Sequence, residues 1–173
     1  MSQFPLLTGV FTHLFFGTIS SNLYCTINKN MSAQENPKIA IEDTINTAPE
    51  KTWELYNTPE HVQQWNNASP DWHTPRAENN LTKGGKFCYR MEARDGSFGF
   101  DFSGMYQKIV PEKFLEYSMD DGRLVEVTFG SKGEKADIRI IFEAESINSL
   151  ELQRDGWQAI LNNFKRYAEQ VNK

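Results

Sequence analysis

The sequence predicts an α+β fold in which one long C-terminal helix lies across an antiparallel sheet, with two short helices following the first strand. Three observations carry that expectation. Within residues 148–171, Trp157, Ile160, Leu161, Phe164, Ala168 and Val171 recur at the three- and four-residue spacing of one helical face, while Asp155, Gln158, Asn162, Lys165, Arg166 and Glu169 fall elsewhere. Between residues 86 and 144 the apolar side chains alternate instead, in segments separated by Asp-Gly and Gly-rich turns. Upstream, two Thr and Pro signals stand within a dozen residues of each other, each opening a short helical pattern.

Taken in order, Lys38 to Asn46 alternates Ile39, Ile41, Asp43 and Ile45 against Ala40, Glu42 and Thr44, a strand with one buried face. Thr47, Pro49 and Glu50 read as a capping box with proline in the first turn, opening a short helix through Trp53 and Tyr56. Thr58, Pro59 and Glu60 repeat the signal and open a second short helix that runs through Val62 to Trp65, in which His61 reads as solvated. From Trp65 to Leu81 the pattern is irregular, and Trp72 beside His73 suggests a flap against something apolar, with a short strand at Asn79 to Thr82. Lys86 to Ala93 and Phe98 to Tyr106 form a hairpin across Asp95-Gly96, whose register sets Met91 against Phe100, Tyr89 against Phe102 and Arg90 against Asp101. One face is aromatic and the other charged. In a further strand Phe114, Glu116 and Ser118 alternate with Leu115, Tyr117 and Met119; in the next Val125, Val127 and Phe129 mark the inward side, and in the last Ile138, Ile140 and Phe142 alternate. Asn148 or Ser149 caps the final helix.

A chain of 173 residues suits one sizeable domain. A net charge of −5 without a basic run argues against nucleic acid as a partner. Cys25 and Cys88 form no motif and the three histidines have no ligand spacing, so the expectation is a cytoplasmic protein with no metal and no cofactor. Residues 1–30 carry no Asp or Glu and read as a leader outside the fold, through a start at Met31 or a weak export signal; their apolar run is too short for membrane insertion. Residues 31–37 read as a disordered linker and 38–173 as the domain.

Several motifs together carry a resemblance. They are Trp53, the Thr-Pro-Glu-His-Val-Gln-Gln-Trp run ending at Trp65, Gly84-Gly85-Lys86-Phe87, Asp95-Gly96, Gly104 and Gly156-Trp157-Gln158-Ala159-Ile160-Leu161. They resemble the START-like superfamily called SRPBCC, in the branch named after the activator of the heat-shock chaperone ATPase. The resemblance implies a helix-grip fold, a curved antiparallel sheet wrapped around the long terminal helix, with an apolar cavity between them. It implies no single reaction, because the fold hosts transporters, cyclases, hydrolases and co-chaperone domains.

The leading functional expectation is therefore a small hydrophobic or aromatic ligand bound by Trp65, Trp72, His73, Tyr89, Met91, Phe100, Phe102, Gln153 and Trp157. A cyclase- or hydrolase-type enzyme is the alternative, using His73 with Arg90, Glu92 or Asp101, should the charged face line the cavity rather than pair in solvent. A chaperone-binding interaction domain is the third. Oligomeric state is open. Gln153 and Gly156 interrupt the apolar face of the last helix: either Gln153 satisfies its hydrogen bonds near the helix start, or the second half, Ile160 to Val171, packs while the first half lines the cavity.

Overall fold

The computed structural model describes residues 36–171; the readings of 1–30 as a leader and of most of the linker lie outside them. Seven antiparallel strands and three helices follow one another as β1 (Lys38–Ile45), α1 (Pro49–Asn57), α2 (Pro59–Trp65), β2 (Trp72–Asn79), β3 (Lys86–Ala93), β4 (Gly99–Val110), β5 (Phe114–Met119), β6 (Leu124–Lys132), β7 (Lys135–Glu143) and α3 (Leu150–Val171). The sheet order is β1-β7-β6-β5-β4-β3-β2, a meander whose last strand returns beside the first.

The alternation read from the sequence decides which face is inside. Ile39, Ile41 and Ile45 of β1, Val125 and Val127 of β6, and Ile138, Ile140 and Phe142 of β7 are buried, with polar neighbours between them turned outward. The β3–β4 register has Met91 opposite Phe100, Tyr89 opposite Phe102 and Arg90 opposite Asp101. Gly96 and Gly122 supply the positive φ values, 72° and 88°, that their turns require.

One ring contact measures how strongly the sheet curls. Trp157 of α3 stacks on Phe142 of β7 at 4.2 Å and meets Phe102 of β4 edge-on at 6.0 Å. In a flat sheet those strands, three apart, would stand about 14 Å from each other. The sheet is therefore a half-barrel with α3 held in its concave side, the helix-grip arrangement. Leu161, Phe164 and Ala168 are buried beneath the helix, and Lys165 pairs with Asp43 of β1 at 2.6 Å. The ends of the apolar stripe are not covered: Leu150 is 47% and Val171 44% exposed, so the packed stretch stops short of the expected Val171.

Gly104 lets the Phe87 ring lie directly on the β4 backbone. A Cβ there would stand 2.9 Å from the Phe87 ring and 2.5 Å from the Ser118 carbonyl oxygen, and the latter is sheet backbone that cannot yield. Gly104→Ala is expected to cost about 1–3 kcal/mol, read from denaturant midpoints.

Three local expectations are corrected. Thr47 does not cap α1; Ala48 occupies that position, and the buried Thr47 hydroxyl donates to the Ala168 carbonyl of α3 at 3.4 Å. The Trp65–Leu81 stretch is not one irregular flap ending in a strand at Asn79 to Thr82, because β2 begins at Trp72. Pro75 is tolerated there because β2 is an edge strand whose register shifts between His73 and Arg76. His61 is not free in solvent: its Nδ1 lies 2.6 Å from the Tyr167 hydroxyl, tying α2 to α3.

Candidate functional site

Residues three, four and seven apart share one side of a helix, so the length of α3 can be compared with itself. On the side marked by Asn163 and Tyr167 the helix is closed by α2 and the loop after it. Asn163 Nδ2 donates to the Trp65 carbonyl at 2.8 Å and lies 3.1 Å from the Asn67 side-chain oxygen, and Tyr167 holds His61. Two turns before Asn163 the same side carries Gly156, and nothing stands within 4 Å of where its Cβ would be. The seal made in the second half of α3 is absent in the first.

Aromatic side chains line the concave side of the sheet and meet that half of the helix through Phe102 and Trp157. Trp157, Phe102, Phe100, Phe98 and Trp72 are all half-buried. Trp72 meets Phe98 at 6.2 Å and Phe100 at 6.0 Å, and Phe102 meets Phe87 at 5.6 Å and Tyr89 at 6.4 Å. Met91 and Tyr89 lie deeper, at 6% and 8% exposure. Two open depressions, of about 630 Å³ and 340 Å³, lie elsewhere, beside the start of α1 and on the outer surface of α3, and neither is lined by these rings.

The sequence-derived site residues separate into two groups. Trp72, Tyr89, Met91, Phe100, Phe102 and Trp157 all lie on the concave side of the sheet or against it. Trp65 is core: its indole N–H donates to the Leu55 carbonyl at 3.0 Å and its ring stacks on Tyr56 and meets Phe164 edge-on. His73 is opposite Glu92 on the outer face, with Nε2 4.0 Å from a Glu92 carboxylate oxygen. Arg90 belongs to that same face, 2.7 Å from Glu92 and 3.6 Å from Asp101. These charges form a solvent-side network and do not reach the aromatic interior.

Of the two roles expected for Gln153, the hydrogen-bonded one near the helix start is what the structure has, and the ligand contact is not. Gln153 is buried, and its amide closes the β7–α3 connection: the oxygen accepts from the Glu145 N–H at 2.9 Å, and the nitrogen donates to the carbonyls of Glu145 at 3.1 Å and Asn148 at 2.9 Å. The Glu145 carboxylate works in the same loop. Burial raises its pKa, but hydrogen bonds from the Ile147 and Asn148 N–H groups outweigh this and hold it below the ordinary value. With three of its hydrogen bonds so engaged, Gln153→Leu is expected to cost about 1–3 kcal/mol in stability and to leave ligand affinity unchanged, as thermal melts and probe titrations would show.

Sequence reasoning missed a set of inward tyrosines. Tyr106 and Tyr117 stand opposite each other on β4 and β5, with ring centroids 6.1 Å apart, and Tyr56 of α1 faces Phe129 and Phe164. The Tyr106 hydroxyl donates to the Asn79 side-chain oxygen at 3.0 Å, and Asn79 in turn donates to the Asn57 carbonyl at 2.7 Å. Burial pushes Tyr56, Tyr89 and Tyr117 well up and Tyr106 up to about 12. The available signal was Tyr in place of Phe at inward positions of neighbouring strands.

Among the described residues there is no cluster of His, Cys, Asp or Glu able to hold a metal ion, and no helix long and apolar enough to cross a membrane. No protein of curated function matches the chain. The family model described as Activator of Hsp90 ATPase homolog 1-like protein matches residues 46–169. An AHSA1-like protein of Aeromonas hydrophila, solved by NMR, is 42% identical with a TM-score of 0.74, covering 78% of this chain and 94% of its own. Chr148 of Cytophaga hutchinsonii is 45% identical with a TM-score of 0.68, covering 78% and 93%. Protein CV1439 of Chromobacterium violaceum, at 20% identity, TM-score 0.68 and coverage of 76% and 96%, shares the fold. Matching the family model over most of its domain, and two solved relatives above 40% identity, this chain belongs to the Activator of Hsp90 ATPase homolog 1-like family.

Proposed function

We propose that the protein binds a small hydrophobic or aromatic molecule between the concave face of the sheet and the first half of α3. The observation that carries this reading is the break in the seal at Gly156, next in the chain to Trp157, whose half-buried ring meets the half-buried Phe102 at 6.0 Å. Apolar surface left uncovered on the inner side of a curled sheet gains about 1.5–3 kcal/mol for each large side chain that a ligand removes from water. A rigid aromatic wall also keeps the ordering cost of binding low.

The family description names an activator of a chaperone ATPase. The ligand reading is preferred because the uncovered rings lie inside the curl, where a folded partner does not reach. The enzyme alternative loses its charged groups, since His73, Arg90, Glu92 and Asp101 all belong to the outer face. A net charge of −5 supports a neutral apolar ligand over nucleic acid.

The test is a titration of the full chain with the neutral fluorophore N-phenyl-1-naphthylamine, together with native mass spectrometry of the purified protein. Saturable emission with energy transfer from tryptophan, and a stoichiometric mass adduct, are the expected results. Emission that rises without saturating, and no adduct, would overturn the proposal.

A further inference from the structure

Phe98, just before β4, and Phe100 and Phe102 within it alternate with Gly99 and Asp101, which stand opposite Glu92 and Arg90 of the outer face. The three rings therefore share the concave side; Phe98 and Phe100 have centroids 6.3 Å apart, and all three are half-buried. The surroundings give this row its shape. On one side β3 is filled, because Met91 and Tyr89, opposite Phe100 and Phe102, are themselves buried. On the other side β5 pairs with β4 only from Gly104 onward, so no strand flanks the row there. At the inner end the next inward position is Gly104, and the buried Phe87 ring lies over it. At the outer end Trp72 is paired with the small Ala93 of β3 and reaches past it to Phe98 at 6.2 Å and Phe100 at 6.0 Å. Trp157 stands beside Phe102 at 6.0 Å. The result is a strip one ring wide, about 13 Å long from Phe98 to Phe102 at the rise of a strand, with a tryptophan at each end.

Resting on the ligand reading above, we infer that this strip takes an elongated aromatic molecule lying along β4, one end against Trp157 and the other against Trp72, and that Trp72 sets the length the site prefers. A rod of linked rings meets Phe102, Phe100 and Phe98 in turn. A compact molecule of the same composition covers one end and leaves the other in water, so it removes less apolar surface from solvent. The spacing of the rings, 6.0 to 6.3 Å where they meet, suits further offset or edge-on aromatic contacts, which add to the area term. Arg90, Glu92 and Asp101 all belong to the outer face, so the strip offers no charge to a charged ligand.

trans-Stilbene and cis-stilbene have the same atoms and the same two rings, held end to end in one and folded toward each other in the other. Both can be titrated by displacement of N-phenyl-1-naphthylamine from the full chain. The expected result is about tenfold tighter binding of the trans isomer, which corresponds to about 50 Å² more apolar surface kept from water. Trp72→Ala should abolish that preference by weakening the trans isomer about tenfold and leaving the cis isomer unchanged. In the wild-type sequence labelled with 5-fluorotryptophan, trans-stilbene should move the fluorine resonances of Trp72 and Trp157 together and leave those of Trp53 and Trp65, which pack on Phe129 and Phe164, in place. That measurement keeps the test valid if the variant fails to fold. Equal or weaker binding of the trans isomer, a preference that survives Trp72→Ala, or a Trp72 resonance that does not move would overturn this inference and leave the hydrophobic-ligand reading intact. Failure of both isomers and of the fluorophore to bind would overturn both.

Discussion

Raising the pH from about 9 to about 11 is expected to remove on the order of 5 kcal/mol of folding stability, a large part of what a domain of this size possesses. Four tyrosines, Tyr56, Tyr89, Tyr106 and Tyr117, have pKa values raised by burial above the ordinary value of 10.0. A phenol buried in its neutral form keeps its proton in the native state to higher pH than in the unfolded chain. Above pH 10 the unfolded state therefore binds fewer protons than the native one, and stability falls as pH rises. The contribution is complete below the unfolded pKa and disappears as pH climbs through the folded one, about 12 for Tyr106. Each group contributes about 1.4 kcal/mol per pH unit within that window, so four act together steeply. Denaturant titrations across the range measure the slope, and Tyr117→Phe should reduce it by about one proton. A stability that stays level up to pH 11 would show that these hydroxyls titrate as if in water.

Much of this architecture was legible because it rests on periodicity. Ile39, Ile41 and Ile45, or Val125, Val127 and Phe129, can bury one face of a strand in only one register, and Asp95-Gly96 fixes the partner of Tyr89 without further help. The misread places are those where a local signal was taken for the whole cause. Thr47 has the residue type and spacing of a cap, but α3 offers its hydroxyl the Ala168 carbonyl, and tertiary contact overrides the local preference. Pro75 looks like a strand breaker, yet an edge strand with a shifted register has no need of every N–H.

The site was harder to read than the fold for a related reason. Periodicity places a side chain on a face but does not say what meets it there. Gln153 and Trp157 share one face of α3; one is held by the β7–α3 loop and the other borders the interior, and only the hydrogen bonds of Gln153 distinguish them. His73 drew attention as a lone titratable group beside a tryptophan. Successive residues of a strand point to opposite faces, so Trp72 turns inward to Phe100 while His73 turns outward to Glu92. Tyr106 and Tyr117 went unnoticed because an inward tyrosine alternates just as an inward phenylalanine does, and the β4–β5 pairing passes through a bulge between Tyr106 and Lys108.

Gly156→Phe should abolish binding of N-phenyl-1-naphthylamine, with affinity falling at least about a hundredfold, roughly 2.7 kcal/mol, while the protein stays as stable as before. Binding and stability separate here because the position belongs to the helix but not to the core. Beyond its chain neighbours and the helix's own backbone, no described atom stands within 4 Å of a Cβ placed at Gly156, so a side chain enters without displacing a packed neighbour. Replacing a helical glycine adds a few tenths of a kcal/mol to about half a kcal/mol of helix propensity, which offsets mild crowding. The new ring would occupy the gap that α2 closes two turns further along through Asn163, on the approach to Trp157 and Phe102. Gly156→Ala is the matched comparison: it should stabilise the fold by about 1 kcal/mol and leave binding intact, because a methyl group does not span the gap. If Gly156→Phe binds the probe as well as the wild type does, the ligand reaches the interior by another route, or the probe sits on the outer surface. If both variants lose stability together, the open side of α3 is closed in solution and the helix packs along its whole length.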